Sequence, residues 1–169
     1  MVAMRRLNIL LAAAFVASAA ASAHDPGHGD TPLREEVQRD LARARAATAR
    51  FKDVQASLDA GYQPTDVCVS HPAHGAMGFH YKKPSLRDAI VDEEQPEILL
   101  YARAPNGALK LTGVEYVVPL DAWTQPTPPV AFGQTMRREE TLQIWYLHVW
   151  LWENNSAGIF SDWNPALKC

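Results

Sequence analysis

The hydrophobic period of the chain changes once, at Gly61, and that change limits the fold more than any other feature. Before it, Leu33, Val37, Leu41, Ala44, Ala47, Phe51, Val54 and Leu58 recur every three or four residues, the spacing of one apolar stripe on an α-helix. Asp30 or Thr31 can cap this segment and Pro32 suits its first turn. Glu35 and Glu36 follow where unpaired backbone N–H groups favour negative charge. The spacing predicts one long N-terminal amphipathic helix, with arginines and acids on its solvated face. After Gly61, extended candidates stand at residues 77–82 (MGFHYK), 97–103 (EILLYAR), 109–118 (LKLTGVEYVV) and 141–153 (TLQIWYLHVWLWE), rich in aromatic and β-branched residues. Asn106-Gly107 between two apolar runs predicts a hairpin. Residues 121–130, with Pro126, Pro128 and Pro129, read as a loop. The expected fold class is α+β: the helix packed on an antiparallel sheet of about four to six strands.

The N-terminal segment carries a different signal. Arg5 and Arg6 precede an apolar stretch over residues 7–20, and Ala21-Ser22-Ala23 follow, the pattern of a cleaved secretory signal peptide. The stretch is shorter than the roughly 18 to 20 residues that span a bilayer. The expected organisation is a leader over residues 1–23, a flexible polar lead over 24–30, and one globular domain over 31–169, periplasmic or secreted. Of the 169 residues, 16 are basic and 19 acidic. The leader takes two arginines and no acid with it, so the net charge moves from -3 to about -5. An acidic chain without a basic stripe argues against nucleic acid as a partner, and no second apolar stretch offers a membrane span.

Export changes how the cysteines read. Cys68 and Cys169 are the only two, and in an oxidising compartment a lone pair most simply forms a disulfide. Neither belongs to a C-x-x-C pair, so a thiolate metal site has little support.

The chemistry must come from six histidines and a few acids. His80 and His148 each sit inside an apolar strand. Alternation sets His80 opposite Met77, Phe79 and Tyr81, and sets His148 on one face with Tyr146, Trp150 and Trp152. Glu115 falls with Leu109, Leu111 and Val117, so it needs a partner or a pocket. Two imidazoles and a carboxylate are a common ligand set for zinc, copper, nickel or iron. The alternative is that each is a hydrogen-bonded strand residue. His71 and His74 lie on a Pro/Gly loop without helical zincin spacing, and they rank below the strand pair. His24, exposed as an N-terminal residue by cleavage, could chelate copper through its amine and imidazole; it ranks lower still.

Four of the five tryptophans lie within residues 145–163. They suit either a strand buried on both faces or an aromatic ligand groove, lined by Tyr81, Tyr116, Tyr146, Trp150 and Trp152. No Gly-rich phosphate loop, G-x-S-x-G elbow or cysteine-nucleophile pattern is present.

The runs Gly75-Ala76-Met77-Gly78-Phe79-His80-Tyr81, Pro96-Glu97-Ile98-Leu99-Leu100-Tyr101, Gly113-Val114-Glu115-Tyr116 and Leu147-His148-Val149-Trp150, with the tail to Trp163-Asn164-Pro165, resemble a group of bacterial secreted proteins without an assigned activity. The resemblance covers about residues 45–169 in order. It implies counterparts of His80, Glu115, His148 and both cysteines, and excludes His71 and His74. The expected function is a small exported binding protein for copper or zinc, or for a small molecule held through the metal. An enzyme using the same residues as general acid and base is the alternative, and an envelope protein-docking module without a small ligand is a third. Oligomeric state and substrate stay open.

Overall fold

The structure, a computed structural model, describes residues 33–169. The expected leader and polar lead, with His24, and the expected capping residues Asp30, Thr31 and Pro32 lie outside the described residues.

The expected single N-terminal helix is corrected in two respects. It starts at Glu35, and it is broken into α1 (Glu35–Thr48), a tight 3-10 turn (Ala49–Lys52) and α2 (Val54–Asp59). Two side chains account for the break. Thr48 is fully buried and turns its hydroxyl back to the Ala44 carbonyl at 2.7 Å, a bond that competes with the helical ladder. Asp53 is extended and its carboxylate accepts from the Gln55 N–H at 2.9 Å, an N-cap that begins a new helix. The apolar stripe runs through the break because Val37, Leu41, Ala44 and Phe51 enter the same core.

Six strands form one antiparallel sheet in the order β1-β2-β3-β4-β8-β7: β1 (Gln63–His71), β2 (Gly75–Lys82), β3 (Ile98–Arg103), β4 (Leu109–Pro119), β7 (Arg137–Glu139) and β8 (Ile144–Val149). A two-residue pair, β5 (Val130–Ala131) and β6 (Gln134–Thr135), stands apart. The Asn106-Gly107 hairpin joins β3 to β4, with the Gly107 N–H donating to the Ala104 carbonyl at 2.8 Å. β1 escapes the apolar pattern because it is a mostly exposed edge strand carrying Pro64. The strand expected over 141–153 is shorter. Gln143 has φ 56°, and beyond Val149 the Trp152 and Glu153 N–H groups both turn to the Thr112 carbonyl, at 2.9 and 3.0 Å.

Two bulges reset the faces of the sheet. Leu100 pairs with Gly113 but Tyr101 pairs with Leu111, so Thr112 is an extra residue; its hydroxyl donates to the Leu100 carbonyl at 3.0 Å. One extra residue reverses the alternation. Leu109 and Leu111 therefore pack toward the helices while Val117 faces the other side, which corrects the expected grouping of Glu115 with the two leucines. In β2, Gly78 pairs with Val69 and Ala76 with Ser70, so Met77 is extra. It lines the same cavity as His80 instead of the opposite face.

The helices cover one face of the sheet, over Leu99, Tyr101, Val114 and Leu147. The other face carries a smaller apolar cluster of Ile98, Leu100, Val117, Ile144 and Trp150, together with the buried polar residues described below. Cys68 and Cys169 form a disulfide with Cα atoms 5.5 Å apart. Asn164 exchanges two backbone hydrogen bonds with Ala76, at 3.1 and 3.2 Å, so the C-terminal segment is docked against β2. No helix among the described residues is long and apolar enough to cross a membrane.

Candidate metal centre

Glu115 on β4 pairs directly with His148 on β8, and on its other side with Ile98 of β3. His80 on β2 sits opposite Leu100, two residues along β3 from Ile98. Its backbone is thus two strand spacings across and two residues along from that of Glu115, roughly 11 to 12 Å away. The side chains close that gap above β3. His80 Nε2 lies 3.4 Å from Glu115 Oε2, and His148 Nε2 lies 3.7 Å from the same oxygen. One donor atom from each of the three falls within 4.8 Å of the others.

All three residues are buried; His148 is 1 % exposed. Yet among the described residues Glu115 Oε2, both ring nitrogens of His148 and His80 Nδ1 have no hydrogen-bond partner. A buried carboxylate oxygen and a buried imidazole nitrogen left unpaired are costly. Burial also holds the His80 imidazole below its usual pKa, against the pull of Glu115 and with a further push from His148. Three buried atoms able to ligate a metal thus face one another. A zinc ion bound by nitrogen and oxygen at about 2.0 to 2.2 Å sets its ligand atoms roughly 3.3 to 3.6 Å apart in a tetrahedron, close to the two spacings observed.

Behind His148, Asp162 Oδ1 lies 3.6 Å from Nδ1, longer than a hydrogen bond; a proton on Nδ1 would turn the Nε2 lone pair toward Glu115. Asp162 also pairs with Arg137 and accepts from the Tyr146 hydroxyl at 3.3 Å. Burial pushes the Asp162 carboxyl up, but His148 and Arg137 outweigh it and the carboxyl sits below its ordinary value. The segment that carries Asp162 is pinned by Trp150, whose indole N–H donates to the Ser161 carbonyl at 2.7 Å.

The three donors open onto a cavity of about 500 Å³. A break in β1 makes the room: Pro64 pairs with Tyr81 and Cys68 with Phe79, so Thr65, Asp66 and Val67 arch away opposite His80. Glu97, one residue before β3, is the fourth buried polar group on the wall. Its Oε2 accepts from the Val117 N–H at 2.9 Å. Burial pushes its carboxyl up to about 8, although that hydrogen bond pulls the other way. At neutral pH the proton stays on.

The expected aromatic lining is distributed differently. Of the five rings, Tyr146 lines the cavity. Tyr81 and Tyr116 belong to the helix-side core, where the Tyr116 hydroxyl donates to the Glu93 carbonyl at 2.6 Å. Trp150 packs beneath the C-terminal segment. Trp152, beyond the end of β8, points to the helices: its indole N–H donates to Thr48 Oγ1 at 3.3 Å and Lys52 Nζ sits 3.9 Å over its ring. The wall is instead aliphatic, from Val69, Met77, Ile98, Val117 and Ile144. His71 and His74 lie at the β1–β2 turn, stacked on each other with ring centroids 4.3 Å apart, and do not line the cavity. Two residues of the site carry no periodic signal. Glu97 reads in sequence as the first residue of an apolar strand, and Asp162 lies in an irregular tail whose course depends on tertiary contacts.

Comparison of the chain with protein-family models, curated proteins and solved structures finds no match. The functional reading therefore rests on the geometry of the site.

Proposed function

We propose that this protein is an exported metal-binding domain in which His80, Glu115 and His148 hold one divalent transition ion, zinc before copper. The observation that carries the reading is the convergence of buried donor atoms, two of them without a hydrogen-bond partner among the described residues, on one point. Two nitrogens and one oxygen, with no sulfur, suit zinc in its ordinary coordination. Three protein ligands leave a coordination position open, and it faces the cavity. Export is supported by the leader-like N-terminus and the disulfide.

The test is zinc titration of metal-stripped protein followed by thermal unfolding. An ion that binds the folded state raises the melting temperature with concentration. The expected outcome is a saturable rise for the wild-type chain, lost in His80→Ala and His148→Ala and reduced in Glu115→Gln. A flat response to both zinc and copper overturns the proposal.

A second reading is enzymatic, and Glu97 is the observation that favours it. A carboxyl that keeps its proton to about pH 8, on the wall of a cavity that also holds an open metal position, is equipped to donate that proton to a bound substrate.

A further inference from the structure

The cavity has a second set of features that metal binding alone does not use. Its inner wall is aliphatic, formed by Val69, Met77, Ile98, Val117 and Ile144. Its lining also includes Lys82, Lys83 and Arg87, contributed by the end of β2 and the turn after it. Lys82 and Arg87 are exposed and Lys83 is half-exposed, so the cations stand at the open side. Glu139 is the one acid among the exposed or half-exposed lining residues. Two large apolar residues at the same opening are left to solvent, Val67 at 60 % and Leu142 at 63 % exposure. Isolated exposed aliphatics need no explanation, but these two flank a cavity whose interior is also aliphatic.

The charges decide the sign of what enters. A divalent ion on His80, Glu115 and His148 meets only one ligand charge, that of Glu115, and so remains positive. The nearby lysines and arginine add to it, and low-dielectric walls concentrate the field. A neutral apolar molecule would gain the aliphatic surface but leave the ion and the cations without a partner. A small inorganic anion would satisfy the ion and leave the wall unused. The shape matches a molecule that does both, and a volume of about 500 Å³ falls in the range of small-molecule sites.

We infer that the cavity binds a small organic carboxylate with an apolar body, its head completing the coordination of the metal held by His80, Glu115 and His148, its body against the aliphatic wall, and Lys82 and Arg87 drawing it in. This rests on the metal reading given above. The apolar body would lie along Ile98, Val117 and Ile144, beside the metal position. Val67 and Leu142 would cover the end that stays nearest the solvent.

The test is calorimetric titration of the zinc-loaded protein with 4-phenylbutyrate, its neutral amide, and acetate. Zinc uptake is measured first on the same sample, so the metal reading is scored separately. The expected result is that 4-phenylbutyrate binds at least ten-fold tighter than the amide, which lacks the charge, and than acetate, which lacks the body. Replacing both cations, as Lys82→Gln with Arg87→Gln, should weaken the carboxylate several-fold and leave the amide unchanged. The carboxylate should also lose its affinity when zinc is stripped. Zinc uptake with equal affinity for acid and amide, or carboxylate binding indifferent to zinc, overturns this inference while the metal site stands. Absence of zinc uptake overturns both.

Discussion

Asp162 stands 3.6 Å behind His148 Nδ1, held by Arg137 and by the Tyr146 hydroxyl, where a carboxylate would orient the imidazole in the proposed metal site. Such carboxylate partners typically account for 10- to 100-fold in metal affinity. Asp162→Asn should therefore weaken zinc by about that factor in a chelator competition, while the folded chain keeps its circular-dichroism spectrum. Unchanged affinity would remove Asp162 from this positioning role. Glu97 makes a different prediction. Its carboxyl titrates near 8 in the folded chain and near 4.3 when unfolded. Between those values the folded state keeps a proton that the unfolded state has released, so stability falls as pH rises through this window. Glu97→Gln can still accept from the Val117 N–H and cannot ionise. The variant should match the wild type near pH 4.5 and exceed it at pH 9 by several kcal/mol, up to about 5, in urea unfolding. Parallel pH profiles would contradict the assignment.

Among the elements, those with a clean period were readable and those built on a single extra residue were not. The stripe marks the buried face from Val37 to Phe51, where burial follows the apolar spacing, but it fails after the break: Leu58 is 39 % exposed, and Ser57 is the residue that α2 buries. It does not record that Thr48 and Asp53 break the helix, since those are hydrogen-bond events on the backbone. The strands around His80, Glu115 and His148 were legible for the same reason. Their convergence was not: His80 and Glu115 meet across an intervening strand, and the bulge at Thr112 reverses the face on which Leu111 and Glu115 were expected to agree. Gly78 shows how tightly the β2 bulge is specified. Its φ is +92°, and a Cβ there would stand 2.3 Å from the Tyr101 carbonyl oxygen. Gly78→Ala combines a left-handed conformation with a backbone clash. It should cost about 2 to 4 kcal/mol by chemical denaturation and also weaken zinc, because His80 is two residues away. A loss below about 0.5 kcal/mol would mean that the bulge can relax.

At the scale of the whole molecule, the sheet carries helices on one face and the polar centre on the other, and the C-terminal segment is fastened across the second face. That segment is held by Asn164 against Ala76, by Trp150 on the Ser161 carbonyl, and by the disulfide. The bridge closes a loop of 101 residues, for which chain entropy suggests roughly 4 to 5 kcal/mol of stabilisation. Paired Cys68→Ser and Cys169→Ser should lower the melting temperature by about 10 °C, with reductant reproducing the effect in the native chain. A melting temperature indifferent to reductant, with both thiols shown to be free, would contradict this. His80, Glu115, His148 and Asp162 all lie between the two cysteines. An oxidised chain that has lost its sheet therefore still keeps the four side chains on one covalent ring, at a higher mutual concentration than an open chain allows. If these residues hold a metal as proposed, the ring keeps its ligands together before the sheet has formed, and reducing the bridge would remove that advantage without touching any of them.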